Sequence, residues 1–155
     1  MNDAGGGITI TPYLEQSMEE IEKSINLNLY GAMYGCRVFA PLMKERREGL
    51  IINVLSVCAD HAWPGFSVYS AAKAGLKLFG KCLYLELQPY NVKVTSFIPA
   101  AANTNFSKAC GQAPSNVQLT GADVGDAIES ICSMNDHVCV EEMTVWGIDQ
   151  TVCPL

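Results

Sequence analysis

Hydrophobic and polar positions change period several times along the 155 residues, and each period indicates a helix or a strand. Residues 17–46 carry apolar side chains at helical spacing, and Ser17 followed by Glu20 predicts a capping box at their start. Residues 50–56 (LIINVLS) and 92–99 (VKVTSFIP) are continuous apolar runs. Such runs are typical of parallel strands that are buried on both faces.

A second helical segment, residues 67–88, is apolar on more than one side. Leu76 and Leu83 lie on one predicted face, whereas Leu78 and Leu85 lie on another. A helix that is apolar nearly all round has to be buried on two sides. The pattern therefore predicts that this helix packs against the sheet and also against a further surface.

The last part of the chain repeats the change from helix to strand. Thr120 is a good N-cap for an amphipathic helix over residues 122–134, and residues 137–150 alternate like a strand. Gly49 is predicted to end the first helical region, and residues 105–119 are predicted to form a polar, mobile loop. Helices that alternate with buried strands predict an α/β fold with a parallel sheet.

Composition narrows the classes of function. The chain is 49% hydrophobic, carries a net charge of −6 and has no basic cluster, so we expect no nucleic-acid partner. No apolar run reaches the ~18 residues that a membrane-spanning helix needs. The seven cysteines are scattered without a C-x-x-C pair, which favours reduced thiols in a cytoplasmic protein over a disulfide framework or a metal site.

Candidate chemistry lies at the end of the first strand and the start of the second long helix. Ser56 ends the strand, Tyr69 follows thirteen positions later, and Lys73 lies one helical turn beyond the tyrosine. A cation on the same helical face favours the phenolate, so we expect the pKa of Tyr69 to fall below its ordinary value of ~10. Tyr69 would then transfer protons, and Ser56 would hydrogen-bond a substrate oxygen.

Four further segments accompany this pattern: NDAG at residues 2–5, NLYG at 28–31, YSAAKAGL at 69–76 and PAAANT at 99–104. Together with Ser56 they make the chain resemble the short-chain dehydrogenase/reductase family. The resemblance implies a catalytic set of Asn28, Ser56, Tyr69 and Lys73. Asn26 competes for the asparagine role, but Asn28 has the family's spacing to Gly31. In the family this asparagine disturbs its helix and holds a water molecule in a proton relay.

The resemblance also implies a site for a nicotinamide cofactor, NADP or NAD, with NADP favoured. The residues implied to bind it are Asn2, Ala4, Gly5, Tyr69, Lys73, Pro99, Ala100, Ala102 and Thr104. Two positions depart from the family pattern: Asp3 replaces an asparagine, and Ala100 replaces a glycine that lies beside the nicotinamide ring.

The fold implied by the resemblance is a partial doubly wound, Rossmann-like parallel sheet with helices on both faces. Residues 1–155 are expected to be a single truncated domain that lacks its first strands and the T-G-x-x-x-G-x-G turn, which would bind the pyrophosphate. One edge of the sheet is then expected to be open. A homo-oligomer is expected to form through helices 17–46 and 67–88, as in the family.

The function implied is NAD(P)-dependent hydride transfer between the cofactor and a small alcohol or carbonyl compound. The terminal helix and strand resemble those of hydroxy-acid and carbonyl reductases, whereas MKERREG and LQPYNVKVT also resemble 3-ketosphinganine reductases. Trp63 and Phe66 lie in the loop before the second long helix and could wall an apolar substrate. The alternative is a catalytically inactive truncated isoform or fragment that retains the oligomerisation helices.

Overall fold

A computed structural model describes residues 1–113 and 116–151. Its helices and strands follow one another in the order α1 (Met18–Ile25), α2 (Gly31–Arg46), β1 (Gly49–Val54), α3 (Ser67–Leu87), β2 (Val92–Pro99), α4 (Phe106–Ala109), α5 (Gly121–Cys132) and β3 (Glu142–Val145). Three single 3₁₀ turns lie at Tyr13–Glu15, Val57–Ala59 and Gln88–Tyr90.

The three strands form one parallel sheet in the order β1-β2-β3. Side chains alternate between its two faces. Ile51 and Val94 pack with α2 and α3 on one face, whereas Ile52 and Phe97 pack with α5 on the other. The predicted parallel α/β sheet with helices on both faces is therefore confirmed.

The helical region predicted at residues 17–46 consists of three parts. Ser17 caps α1 with the predicted capping box, since its side chain accepts from the backbone of Glu20 while the Glu20 carboxylate accepts from the backbone of Ser17. A π-helical turn, Asn26–Tyr30, then separates α1 from α2. The turn widens the helix at Asn28, whose side chain is buried.

Three local expectations were wrong. The first helical region ends at Arg47, which adopts a left-handed conformation with φ of 55°, while Gly49 already begins β1. Of the strand expected over residues 137–150, only β3 forms, and it pairs with the last four residues of β2. The segment expected to be a loop contains α4, although Pro114 and Ser115 of that segment lie outside the described residues.

The outer edge of β1 meets the start of the chain. Asn2 forms a parallel bridge with Asn53: its N–H donates to Ile52 O, and its carbonyl accepts from Val54 N–H. Beside this bridge, a groove of about 310 Å³ runs between α2 and β1 and is lined by Met1, Asn2, Gly35, Cys36, Phe39, Met43, Leu50 and Ile51. The sheet is thus extended past β1 by one bridging residue.

None of the helices in the described part of the chain has the length and apolar character to cross a membrane.

Candidate active site

The predicted catalytic residues meet at the carboxyl end of the sheet. Ser56 follows β1 and opens the turn Val57–Ala59, where its Oγ accepts a hydrogen bond from the N–H of Cys58 at 3.2 Å. Tyr69 is the third residue of α3, and its phenol is hydrogen-bonded to Ser56. The carboxyl ends of parallel strands are where doubly wound folds place their ligands.

Lys73 lies one turn after Tyr69 and is buried. Its Nζ is 5.7 Å from the centre of the Tyr69 ring and donates a hydrogen bond to the carbonyl of Val54 at 2.9 Å. The last residue of β1 therefore fixes the ammonium beside the phenol. The spacing of Ser56, Tyr69 and Lys73 in the sequence corresponds to a real cluster in the fold.

The direction of the Tyr69 pKa differs from the sequence expectation. Burial raises the pKa of Tyr69 well above its ordinary value, and the hydrogen bond from Ser56 only partly opposes this. Burial also lowers the pKa of Lys73 from 10.5 to about 8, although the charge of Asp3 acts in the opposite direction. Because desolvation disfavours charged forms, the folded chain keeps Tyr69 as a neutral phenol at neutral pH.

Asn28 is buried in the π-helical turn and holds the N-terminal segment. Its Oδ1 accepts from the N–H of Gly6 at 2.9 Å, and its Nδ2 donates to Gly6 O at 2.8 Å and Ser24 O at 3.0 Å. The side chain thus pairs with both backbone groups of Gly6. The expected disturbance of the helix is present, while the water-binding role of Asn28 stays a prediction.

Gly5 lies between the two polar members of the site. A Cβ at this position would be 3.0 Å from Asn28 Oδ1 and 3.1 Å from Lys73 Nζ, so any larger residue would crowd both groups. Ala4 and Gly5 are exposed here, whereas the Asn2 amide turns inward and donates to Asn53 Oδ1 at 2.8 Å.

The remaining positions expected to bind the cofactor follow β2. Pro99 ends the strand, and the buried Ala100 donates its N–H to the carbonyl of Val145 at 2.8 Å. Ala102 is half-buried, and Thr104 is exposed, with its Oγ1 accepting from the N–H of Phe106 at 3.3 Å. These residues occupy the same end of the sheet as Ser56.

Several residues around Tyr69 were not expected from the sequence. Ile10, Cys58 and Cys110 are buried against the phenol ring, and Phe106 of α4 packs on the same cluster. No motif marks them, because they come from three separate segments that the fold brings together. Among the described residues, no group of three His, Cys, Asp or Glu side chains could hold a metal ion.

Comparison with known proteins identifies similar oxidoreductases. The NADP-dependent 3-hydroxy acid dehydrogenase YdfG of Shigella flexneri is 29% identical over 165 residues, which cover 100% of this chain and 66% of that protein. The 2,3-dihydroxy-2,3-dihydro-p-cumate dehydrogenase of Pseudomonas putida is 36% identical over 104 residues, 67% of this chain and 40% of that protein.

A solved structure of the closed form of serine dehydrogenase in complex with NADP+ superposes with a TM-score of 0.91 at 30% identity. The match covers 99% of this chain and 66% of that one. The family model for the short chain dehydrogenase matches residues 1–115. The chain spans 66% of the length of the 3-hydroxy acid dehydrogenases it matches. Because the family model covers most of the chain, the chain belongs to the short chain dehydrogenase family.

Proposed function

We propose that this chain is the catalytic part of an NAD(P)-dependent oxidoreductase that acts on an alcohol or carbonyl compound. The observation that carries the proposal is the buried cluster of Ser56, Tyr69 and Lys73 at the carboxyl end of β1. The names of the relatives point to hydroxy acids as one substrate class and to NADP as the favoured cofactor, with NAD as the alternative. The absence of disulfides among the described cysteines is in keeping with a cytoplasmic protein.

Carbonyl reduction is the direction that this geometry supports best. A neutral phenol at Tyr69 is a proton donor, and a carbonyl oxygen that becomes an alkoxide needs one. Ser56 would hydrogen-bond the same oxygen, since its Oγ lies beside the phenol. Lys73, fixed by Val54 O, would pass a replacement proton towards Tyr69, and Asn28 would keep the N-terminal segment against this path.

The residues present fit the nicotinamide half of the cofactor. Gly5 has no Cβ, which would lie 3.1 Å from Lys73 Nζ, so ribose hydroxyls would approach the buried ammonium from this side. The expected contacts on the other side are Pro99, Ala100, Ala102 and Thr104, which follow β2. When bound, the cofactor would supply or accept the hydride. The domain that we propose for residues 1–155 is one part of the family's Rossmann-like domain.

The proposal is tested by titrating the purified chain with NADPH and with NADH, followed by steady-state turnover with 3-hydroxy acids and simple ketones. Saturable cofactor binding and turnover support it. Tyr69→Phe removes the transferable proton but keeps the ring, so we expect turnover to fall by about 10²-fold or more with cofactor affinity nearly unchanged. A variant that keeps full turnover would contradict the role of Tyr69.

A second candidate function is a catalytically inactive chain that associates with other subunits. Large apolar side chains are exposed at four-residue spacing from Tyr30, the last residue of the π-helical turn, along one face of α2, and others are exposed on α3. This apolar stripe consists of Tyr30, Tyr34, Val38, Leu42, Leu78 and Leu85. We propose that it mediates a homo-oligomer. An oligomer that binds neither NADPH nor NADH would favour the inactive chain over the enzyme.

A further inference from the structure

Tyr69 lies between two unlike surfaces. On one side are Lys73, Asn28 and Gly5, which are polar and continue towards the N-terminal segment. The other side is an apolar wall, made of Ile10, Cys58, Trp63, Phe66, Phe106 and Cys110. A carbonyl oxygen bonded to Ser56 and Tyr69 would have Lys73 on its polar side. One substituent of the carbonyl carbon would then face the apolar wall.

The apolar wall is built from packed rings and is held in place by its own hydrogen bonds. Phe66 and Phe106 both contact Tyr69 edge to face, with ring centres 6.2 Å and 5.7 Å from it. Gln112 donates to the carbonyl of Ile10 at 3.1 Å, which ties the segment after α4 to the loop at residue 10. Edge-to-face geometry is the arrangement that aromatic rings prefer, so a further ring would add to this packing.

The charged and titratable groups around the apolar wall disfavour a substrate that carries a carboxylate. The titratable groups of the apolar wall that act on Tyr69 are the thiols of Cys58 and Cys110, both buried. Lys108, the cation of α4, is exposed. A carboxylate placed against the apolar wall would lose its hydration there, and the Lys73 ammonium, which acts on Cys58, already donates its hydrogen bond to Val54 O. Burying an unpaired charge is far more costly than burying an apolar group of the same size.

We propose that this site selects uncharged ketones and secondary alcohols with a bulky apolar or aromatic substituent, ahead of hydroxy acids and oxo acids. The inference rests on the proposed oxidoreductase function and narrows its substrate class. Phe106 is the specificity-determining residue, because it contacts Tyr69 directly and belongs to the short helix that closes the apolar wall.

The test compares two ketones that share a phenyl ring, acetophenone and phenylglyoxylate, in which a carboxylate replaces the methyl group. Binding to the full chain is measured by ligand-observed NMR, with and without NADPH, and turnover is measured separately. We expect acetophenone to bind at least about tenfold more tightly than phenylglyoxylate. Acetone, which lacks the ring, should bind more weakly than acetophenone.

Three variants locate the selectivity. Phe106→Ala should weaken acetophenone binding about tenfold, because it removes one ring from the apolar wall. Phe106→Arg should reverse the preference towards phenylglyoxylate, since it places a cation beside the carboxylate. Phe39→Ala is the matched control: Phe39 is 57% exposed on α2, and its removal should leave both affinities unchanged.

The outcomes separate this inference from the oxidoreductase function. Equal or tighter binding of phenylglyoxylate to the unmodified chain would overturn the inference, and so would a Phe106→Ala variant that behaves like Phe39→Ala. Absence of acetophenone binding both with and without NADPH would overturn it as well. A chain that binds acetophenone selectively but neither binds nor uses NADPH would support the apolar site and contradict the oxidoreductase.

Discussion

At the residue scale, burial shifts the pKa values of Tyr69 and Lys73 in opposite directions. It raises the pKa of Tyr69 and lowers the pKa of Lys73. Both side chains are buried, and both therefore favour their neutral forms: the phenol of Tyr69 and the amine of Lys73. Ile10, Phe106 and Cys110 pack around the phenol and exclude water from it. At neutral pH the folded chain therefore holds Tyr69 as the phenol rather than as a phenolate.

The lowered pKa of Lys73 predicts a pH-dependent stability. Below about pH 8 the lysine is protonated in both the folded and unfolded states, and the full cost of burying an ammonium is present. Between pH 8 and 10.5 the unfolded state binds more protons, so stability rises with pH. The quantity to compare is the free energy of unfolding of the unmodified chain minus that of the Lys73→Met variant. This difference should increase by about 2 kcal/mol from pH 8 to pH 10.

Urea unfolding at several pH values measures this difference. Lys23→Met is the control, because Lys23 is exposed and its pKa is raised by the hydrogen bond to Glu19. The stability that Lys23 contributes is lost as the pH rises. The difference in the free energy of unfolding between the unmodified chain and Lys23→Met should therefore change slightly and with the opposite sign. A free-energy difference between the unmodified chain and Lys73→Met that is constant from pH 8 to pH 10 would contradict the prediction.

The clustering of Ser56, Tyr69 and Lys73 was predictable from the sequence, but the electrostatics around them were not. The spacing of Ser56, Tyr69 and Lys73 follows from a strand, a loop and one helical turn, all of which are local. The pKa of Tyr69 depends instead on Ile10 and Cys110, which lie 59 positions before and 41 positions after it in the sequence. Spacing along the sequence predicts which side chains lie close together within a helix and its neighbouring loop. The pKa shift caused by burial depends instead on contacts between distant segments.

At the scale of elements, the π-helical turn Asn26–Tyr30 joins the long helical region to the N-terminal segment. Asn28 makes three hydrogen bonds, two of them to Gly6. Asn28→Ala leaves these backbone groups without their partner, so we expect the free energy of unfolding to fall by roughly 2 kcal/mol. Hydrogen exchange at the Gly6 N–H should accelerate in the same variant, as measured by NMR.

Asn26→Ala is the matched control, because Asn26 belongs to the same turn but is exposed. Its stability should change by less than about 0.5 kcal/mol, and exchange at Gly6 should stay unchanged. Equal effects of the two substitutions would show that asparagine in this turn acts through helix propensity rather than through its contacts with Gly6.

Element boundaries were predictable where a side chain satisfies the end of a helix. The capping boxes at Ser17 and Thr120 lie within the helices they begin, so the sequence displays them directly. The end of α2 was not predictable in this way. Arg47 adopts the left-handed conformation because distant residues hold it: its guanidinium donates to Pro89 O, and the Asn91 amide donates to Arg47 O, both at 3.0 Å.

At the scale of the whole molecule, the sheet presents two different boundaries. Helices cover both faces, so the buried runs in β1 and β2 identified the fold class from the sequence. The outer edge of β1 carries the bridge at Asn2 and an apolar groove, whereas the apolar stripe of α2 and α3 is a helix surface. Of the two apolar faces of residues 67–88, one packs on the sheet, whereas the other, with Leu78 and Leu85, is exposed.

The exposed apolar stripe predicts that the chain forms an oligomer. Val38 on α2 is 61% exposed and Leu78 on α3 is 64% exposed, which is costly for apolar side chains unless another surface covers them. We expect the purified chain to form an oligomer, and the double variant Val38→Glu/Leu78→Glu to form a monomer, because the interface would bury two carboxylates without partners. Light scattering coupled to size-exclusion chromatography measures both masses.

Ile148→Glu is the control, because Ile148 is 95% exposed and lies outside the apolar stripe; this variant should keep the oligomer. An unmodified chain that stays monomeric at about 100 µM, or a double variant of unchanged mass, would rule out this surface as the interface.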